Sequence, residues 1–141
     1  MVLGGVVIPF NKGLDGHSDG DTLLHAIIDA LLGAAVIGDI GTNFPSDVPE
    51  YLGIASNILL EKTIALLLEA GWQPIHIDAT IIAQQPLMSP YIQLMRQMIS
   101  KSIGVHIDAI SIKATTTDGL GSIGQGEGIA TIAIATIESK I

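Results

Sequence analysis

At 141 residues the chain has the length of one domain with a real hydrophobic core. Charged residues make up 14% and hydrophobic ones 48%, too little charge to clothe an ordinary monomer, so an oligomer that buries much of its surface is expected. The net charge of −8 leaves no basic stripe for nucleic acid, and the absence of cysteine removes disulfides and thiolate chemistry.

No apolar run has the length of a membrane span, since Asp29 and Asp39 interrupt the longest candidate. The opening "MVLGGVVIPFNKG" lacks a basic leader and a cleavage signature, so a cytoplasmic protein without membrane partners is expected. Val2 to Pro9 reads as strand, interrupted by Gly4-Gly5 as a turn or bulge. Gly13 to Gly20 reads as a polar loop. A helix follows from Asp21 to Ala35, with Asp19 or Asp21 placed to cap it. The Gly-, Pro- and Asp-rich stretch from Gly38 to Glu50 reads as loop. Ala55 to Ala70 carries the longest helical pattern, with Ser56 a candidate N-cap and Gly71 a stop. Ile75 to Gln84 reads as strand, Pro90 to Ile103 as a helix ended by Gly104, and His106 to Thr117 as an alternating strand. A glycine-dense loop, Asp118 to Gly128, leads to a last strand from Ile129 to Ile137. "HIDAT" at His76 and "HIDAI" at His106 echo one another and read as strand lead-ins at a sheet edge. The order predicts an α+β domain with a four- to five-stranded mixed sheet and its helices on one face. The open face is then available to sister subunits.

Three stretches carry groups suited to chemistry. In "GHSDGDTLLHAIIDALLGAA", Gly16 to Ala35, His25 shares a helix face with Asp21 and Asp29, carboxylates able to orient an imidazole that binds a metal. One histidine does not hold zinc, which needs about three protein ligands. His17 and Ser18 sit in a Gly-flanked loop, within reach of a phosphate. In "KATTTDGLG" a strand end presents Thr115, Thr116 and Thr117, followed by Asp118, a hard oxygen ligand suited to magnesium. The glycines after it match no nucleotide-binding fingerprint. In "GDIGTNFP" Asp39 between glycines is able to accept from a sugar diol, with Gly41 offering an amide. By spacing alone this is an oligomeric α+β domain with a metal or phosphate site and no assigned reaction.

Taken together, "GHSDGDTLLHAIIDALLGAAVIGDIGTNFP", "IDATIIAQQPLMSPYI" and "IKATTTDGLGSIGQGEGIA" resemble three successive blocks of the 2-C-methyl-D-erythritol 2,4-cyclodiphosphate synthase family. The resemblance runs from Gly4 to the C-terminus. It implies a single synthase-like domain over residues 1–141, ferredoxin-like or chorismate-mutase-like, assembled as a homotrimer with active sites at subunit interfaces. The implied reaction cyclises 4-diphosphocytidyl-2-C-methyl-D-erythritol 2-phosphate and releases CMP, in non-mevalonate isoprenoid biosynthesis. The implied cofactors are Zn2+ or another divalent ion, with Mg2+ or Mn2+. By position, His25 matches the helix ligand to zinc, and His17 and Thr116 the groups that stabilise the transition state. Ser18 matches a phosphate neighbour. Asp39, Ile40 and Gly41 match substrate contacts, and Phe44, Ser46, Asp47 and Val48 belong to the mobile loop over the methylerythritol part. Ala83, Gln84, Gln85, Pro86, Leu87, Met88 and Ser89 match the cytosine pocket of the adjoining subunit. Thr115, Thr117 and Asp118 match the diphosphate and magnesium region, and Ser122 and Gln125 the loop beyond it.

The chain departs from the family at several of these positions. The family's other zinc ligands form an Asp-x-His in a strand just upstream of the position of Val2, and residues 1–141 contain no Asp-x-His that could substitute for it. Asp118 stands for a magnesium-binding glutamate. Ser122 and Gln125 stand for the Phe and Arg that many relatives carry, and glutamine lacks the charge for an anion in the central cavity, so weak binding there is expected. Leu87 and Val48 replace polar residues. The alternative reading is a zinc-deficient, non-catalytic trimer that binds CDP-like ligands.

Overall fold

Gly4 and Gly5, with φ of 61° and 75°, fold the N-terminal segment back on itself in the computed structural model, which describes residues 1–11 and 20–140. Two adjacent residues at positive φ are what a tight two-residue hairpin turn requires. The result is a small ribbon in which β1 (Val2–Leu3) pairs antiparallel with β2 (Val6–Val7). The interruption at Gly4-Gly5 is therefore a turn.

Helix α1 (Thr22–Ala34) follows the predicted bounds closely. Leu23, Leu24, Ile27, Ile28, Leu31 and Leu32 recur at helical spacing and are fully buried. Each side chain of that size contributes about 1.5–3 kcal/mol of transfer free energy when buried. Asp21 is the N-cap, accepting from the Leu24 amide at 3.0 Å. The loop read between Gly38 and Glu50 contains a single turn, α2 (Ile40–Asn43), and a 3-10 turn at Pro49–Tyr51. Helix α3 (Ser56–Glu69) starts as expected and stops before Gly71 at φ 89°. Ser56 is not its cap: Ala55 occupies that position, and Ser56 is fully buried inside the first turn.

The main sheet has three described strands rather than four or five, in the order β4-β3-β5. Central strand β3 (Trp72–Ile82) runs parallel to β4 (Ile110–Thr115) and antiparallel to β5 (Ala130–Ser139). Helix α4 (Ile92–Ile103) lies between β3 and β4 in the chain and supplies the crossover that parallel pairing demands. It is preceded by a 3-10 turn at Ser89–Tyr91, so Pro90 lies ahead of the helix rather than within it. A last helical turn, α5 (Gly121–Gly124), interrupts the glycine-dense loop.

Ile77, Ala79 and Ile81 of β3, with Ile110 and Ile112 of β4, are buried under the helices. Helix α1 packs on β5 and β3, α3 on β3, and α4 on β4. The opposite face is open: Ile132 and Ile134 are 62% and 66% exposed there, opposite Thr80 and Asp78. The Asp78 carboxylate accepts a hydrogen bond from Lys113 on β4, which holds it ionised below the usual carboxylate range. The two His-Ile-Asp segments are not equivalent lead-ins at an edge. His76 lies within central β3 at a register shift, whereas His106 caps a 3-10 turn by accepting from the Asp108 amide. Among the described residues no helix is long and apolar enough to cross a membrane.

Candidate functional site

The expected site residues fall into two hydrogen-bonded groups. His17, Ser18 and Asp19 lie outside the described residues.

The first group is built on α1. The His25 ring projects from the second turn, and its Nε2 lies 2.9 Å from the Oγ of Ser56 on α3. The carboxylates that flank His25 in sequence are engaged with backbone amides. Asp21 accepts from Gly4 N at 2.9 Å and Gly5 N at 2.8 Å as well as capping α1, so it ties the hairpin turn to the helix. Asp29 accepts from Ile40 N at 2.8 Å and anchors the first residue of α2. Asp39 caps the same turn from the other side, its Oδ1 accepting from Thr42 N at 2.8 Å and from Thr42 Oγ1 at 2.9 Å. The Thr42 amide and hydroxyl hold the Asp39 carboxyl below its ordinary value. Asn43 adds bonds to the carbonyls of Ile37 and Asp39. Asp39 and Gly41 are thus exposed on a turn pinned at both ends. Past it, Phe44 is buried and stacks edge-on against Tyr51 at 5.4 Å, while Ser46 and Asp47 are exposed and Val48 is half-buried.

The second group lies at the paired ends of β3 and β4. The Ala83 amide donates to the Thr115 carbonyl at 3.0 Å, continuing the parallel pairing one step beyond β3. The chain then turns: Asp118, at φ 54°, donates its amide to Thr116 Oγ1 at 3.1 Å, and Thr117 Oγ1 donates to the Leu120 carbonyl at 2.7 Å. Gly119 donates its amide to Gln84 Oε1 at 3.0 Å. Thr115, Thr116 and Asp118 remain exposed, so hydroxyls and a carboxylate stand together at a strand end, an arrangement suited to a phosphorylated ligand. Gln85 and Leu87 are exposed and Pro86 half-buried, whereas the Met88 side chain belongs to the core. A cavity of about 250 Å³ opens beside this group, lined by Met1, Phe10, Gln84, Gln85 and residues 124–129, Gln125 among them. Ser122 is exposed on α5.

A zinc ion needs about three protein donors. Among the described residues no three His, Asp or Glu side chains converge. His25 therefore offers one donor, and the described residues do not complete a zinc site around it.

Two roles were not evident from sequence spacing: Ser56 as the partner of His25, and Gly124 as packing for the Asp118 loop. A Cβ at Gly124 would lie 2.2 Å from the carbonyl carbon of Gly119. The density of glycine between 119 and 128 was the available signal, but it does not say which glycine touches which.

The YgbB family model matches residues 1–138. A 2-C-methyl-D-erythritol 2,4-cyclodiphosphate synthase from Clostridium beijerinckii is 53% identical over 141 residues, 100% of this chain and 89% of its own length. The synthase of Desulforamulus reducens is 51% identical over 98% of this chain and 88% of its own. Among solved structures, the bifunctional IspDF of Campylobacter jejuni superposes with a TM-score of 0.94 at 37% identity, covering 99% of this chain but 38% of that longer one. The IspF of Plasmodium falciparum, solved as a CDP complex, superposes with a TM-score of 0.87 at 33% identity, covering 100% of this chain and 85% of that one. The chain belongs to the YgbB family, the family of the 2-C-methyl-D-erythritol 2,4-cyclodiphosphate synthases.

Proposed function

We propose that this chain converts 4-diphosphocytidyl-2-C-methyl-D-erythritol 2-phosphate to 2-C-methyl-D-erythritol 2,4-cyclodiphosphate and CMP. The observation that carries the reading is the meeting of the Thr115–Gly119 loop with Ala83 and Gln84 at the ends of β3 and β4, in a chain about half identical to synthases of that name.

In this reading an oxygen of the substrate's 2-phosphate attacks the β-phosphorus, the bond from that phosphorus to the bridging oxygen of CMP breaks, and CMP leaves. Catalysis then consists of positioning and charge stabilisation. Residues 83–89 receive the cytosine. Thr115 and Thr117 hold the diphosphate, and the Thr116 hydroxyl faces the reacting phosphoryl group together with His17 and Ser18. Asp39, Ile40 and Gly41 hold the methylerythritol diol, supported by Asp29 and Thr42. A divalent ion, when bound, neutralises phosphate charge. His25 would be one donor to Zn2+, and Asp118 would be the donor to Mg2+ or Mn2+.

The site assembles between copies of the chain in a cytoplasmic homotrimer, with the open sheet face around Ile132 and Ile134 turned toward sister subunits. The second reading is a non-catalytic trimer that binds CDP-like ligands. Incubation of the purified protein with substrate, Zn2+ and Mg2+, followed by 31P NMR, separates the two. Stoichiometric CMP and cyclic diphosphate support the synthase. Calorimetric binding of CDP without turnover supports the binding module, and absence of both overturns both readings.

A further inference from the structure

Gln84 follows Ala83 just past the end of β3, and its side chain reaches across 35 residues of sequence to accept the Gly119 amide at 3.0 Å. Gly119 is at φ 78° and Asp118 at φ 54°, so the chain reverses sharply where the contact is made. On the other side of Gly119 stands Gly124, with room for no Cβ. Among the described residues, the other hydrogen bonds within this turn are internal to it: Asp118 N to Thr116 Oγ1, Thr117 Oγ1 to the Leu120 carbonyl, and Leu120 N to the Thr117 carbonyl. Those bonds shape the turn without joining it to the sheet. Among the described residues, Gln84 joins the turn to the strand end beyond the Ala83–Thr115 backbone bond at its base.

We propose that Gln84 is a positioning residue: its amide oxygen holds the Thr116–Gly119 turn against the end of β3. The Thr116 hydroxyl and the Asp118 carboxylate are thereby kept at a fixed place relative to residues 83–89. The role rests on the synthase reading of this site. The choice of side chain follows from charge. A carboxylate in place of the amide would accept the same N–H but would add a negative charge beside a diphosphate, in a chain that already carries −8. Glutamine supplies the acceptor without the repulsion.

The test compares Gln84→Ala, Gln84→Met and Gln84→Glu with the wild-type chain, by amide hydrogen exchange at Gly119 and by steady-state CMP release. Gln84→Met keeps the side-chain volume without an acceptor, which covers the case where Gln84→Ala fails to fold. Loss of the acceptor is expected to speed Gly119 exchange by roughly tenfold, the order set by the net worth of one hydrogen bond. It is also expected to lower kcat by about ten- to a hundredfold, the scale of a small misplacement at a reacting centre. Gln84→Glu is expected to keep the Gly119 amide protected while raising KM for the anionic substrate. An unchanged Gly119 exchange rate in Gln84→Ala or Gln84→Met overturns the proposal, as does an unchanged kcat. Wild-type protein that releases no CMP instead overturns the synthase reading, and the exchange rates then decide the Gln84–Gly119 contact by themselves.

Discussion

Nε2 of His25 and Oγ of Ser56 lie 2.9 Å apart, joining the N-terminal part of α1 to the first turn of α3. Ser56 is fully buried, so this contact reaches the imidazole from inside the protein. Replacing Ser56 with Ala is expected to cost about 1 kcal/mol, the net worth of one buried hydrogen bond. Replacing His25 with Ala is expected to abolish CMP release while the fold persists. Thermal unfolding followed by circular dichroism and a CMP assay check the pair, and retained turnover in His25→Ala refutes the ligand role.

Asp21 is the most heavily used carboxylate of the described chain. Its oxygens receive the amides of Gly4, Gly5 and Leu24, and the residue is fully buried. Asp21→Ala removes a helix cap and two further charge-assisted bonds together, with an expected cost of about 3 kcal/mol. Urea unfolding measures it. A cost well below 1 kcal/mol means that the hairpin turn docks on α1 without this carboxylate.

Asp39 is expected to titrate below an ordinary aspartate because the amide and hydroxyl of Thr42 stabilise its charged form. The sign follows from linkage. A carboxylate whose folded pKa is depressed contributes stability that is complete above its unfolded value and is lost as pH falls through the folded one. Thr42→Val removes the hydroxyl but keeps the amide, so the midpoint rises part of the way toward the ordinary value. Carboxyl carbon NMR across the acidic range reads both midpoints, and identical midpoints contradict the assignment.

Gly124 faces the backbone of Gly119, where a Cβ would approach within 2.2 Å of the carbonyl carbon and 2.6 Å of the oxygen. Neither atom belongs to a flexible side chain, so Gly124→Ala must displace the turn that carries Asp118. Overpacking of this kind costs about 1–3 kcal/mol. Its larger effect is expected on catalysis, through the shifted carboxylate. Crystallography of the variant, with CMP kinetics alongside, provides the check, and wild-type kinetics would show that the Asp118 position does not matter.

Ile132 and Ile134 present two large apolar side chains on the open sheet face, on either side of Ala133. Ile134→Asp places a charge there without touching the buried face of β5. If the proposed trimer packs through this face, the expected results are monomers by light scattering, near-native helix content and little CMP release. An assembly of unchanged mass would show that the subunits meet elsewhere.

The sequence by itself determined the long helices and the strands of the main sheet. Apolar residues at helical spacing announce α1, Asp19 or Asp21 its start, and Gly71 and Gly104 the ends of α3 and α4, because periodicity and caps are local properties. Alternation located β4 for the same reason. It also made the candidate chemistry legible as residue types, with Thr115–Asp118 at a strand end and Asp39 and Gly41 on a turn.

Only the tertiary structure decided the partners. Asp29 shares a helix face with His25, yet its carboxylate goes to Ile40, 11 residues along the chain. Asp21 reaches back 17 residues to Gly4, and Gln84 forward 35 to Gly119. Such contacts depend on how α1 and the strands pack, and a side chain with several donors within reach gives no local sign of which one it will meet.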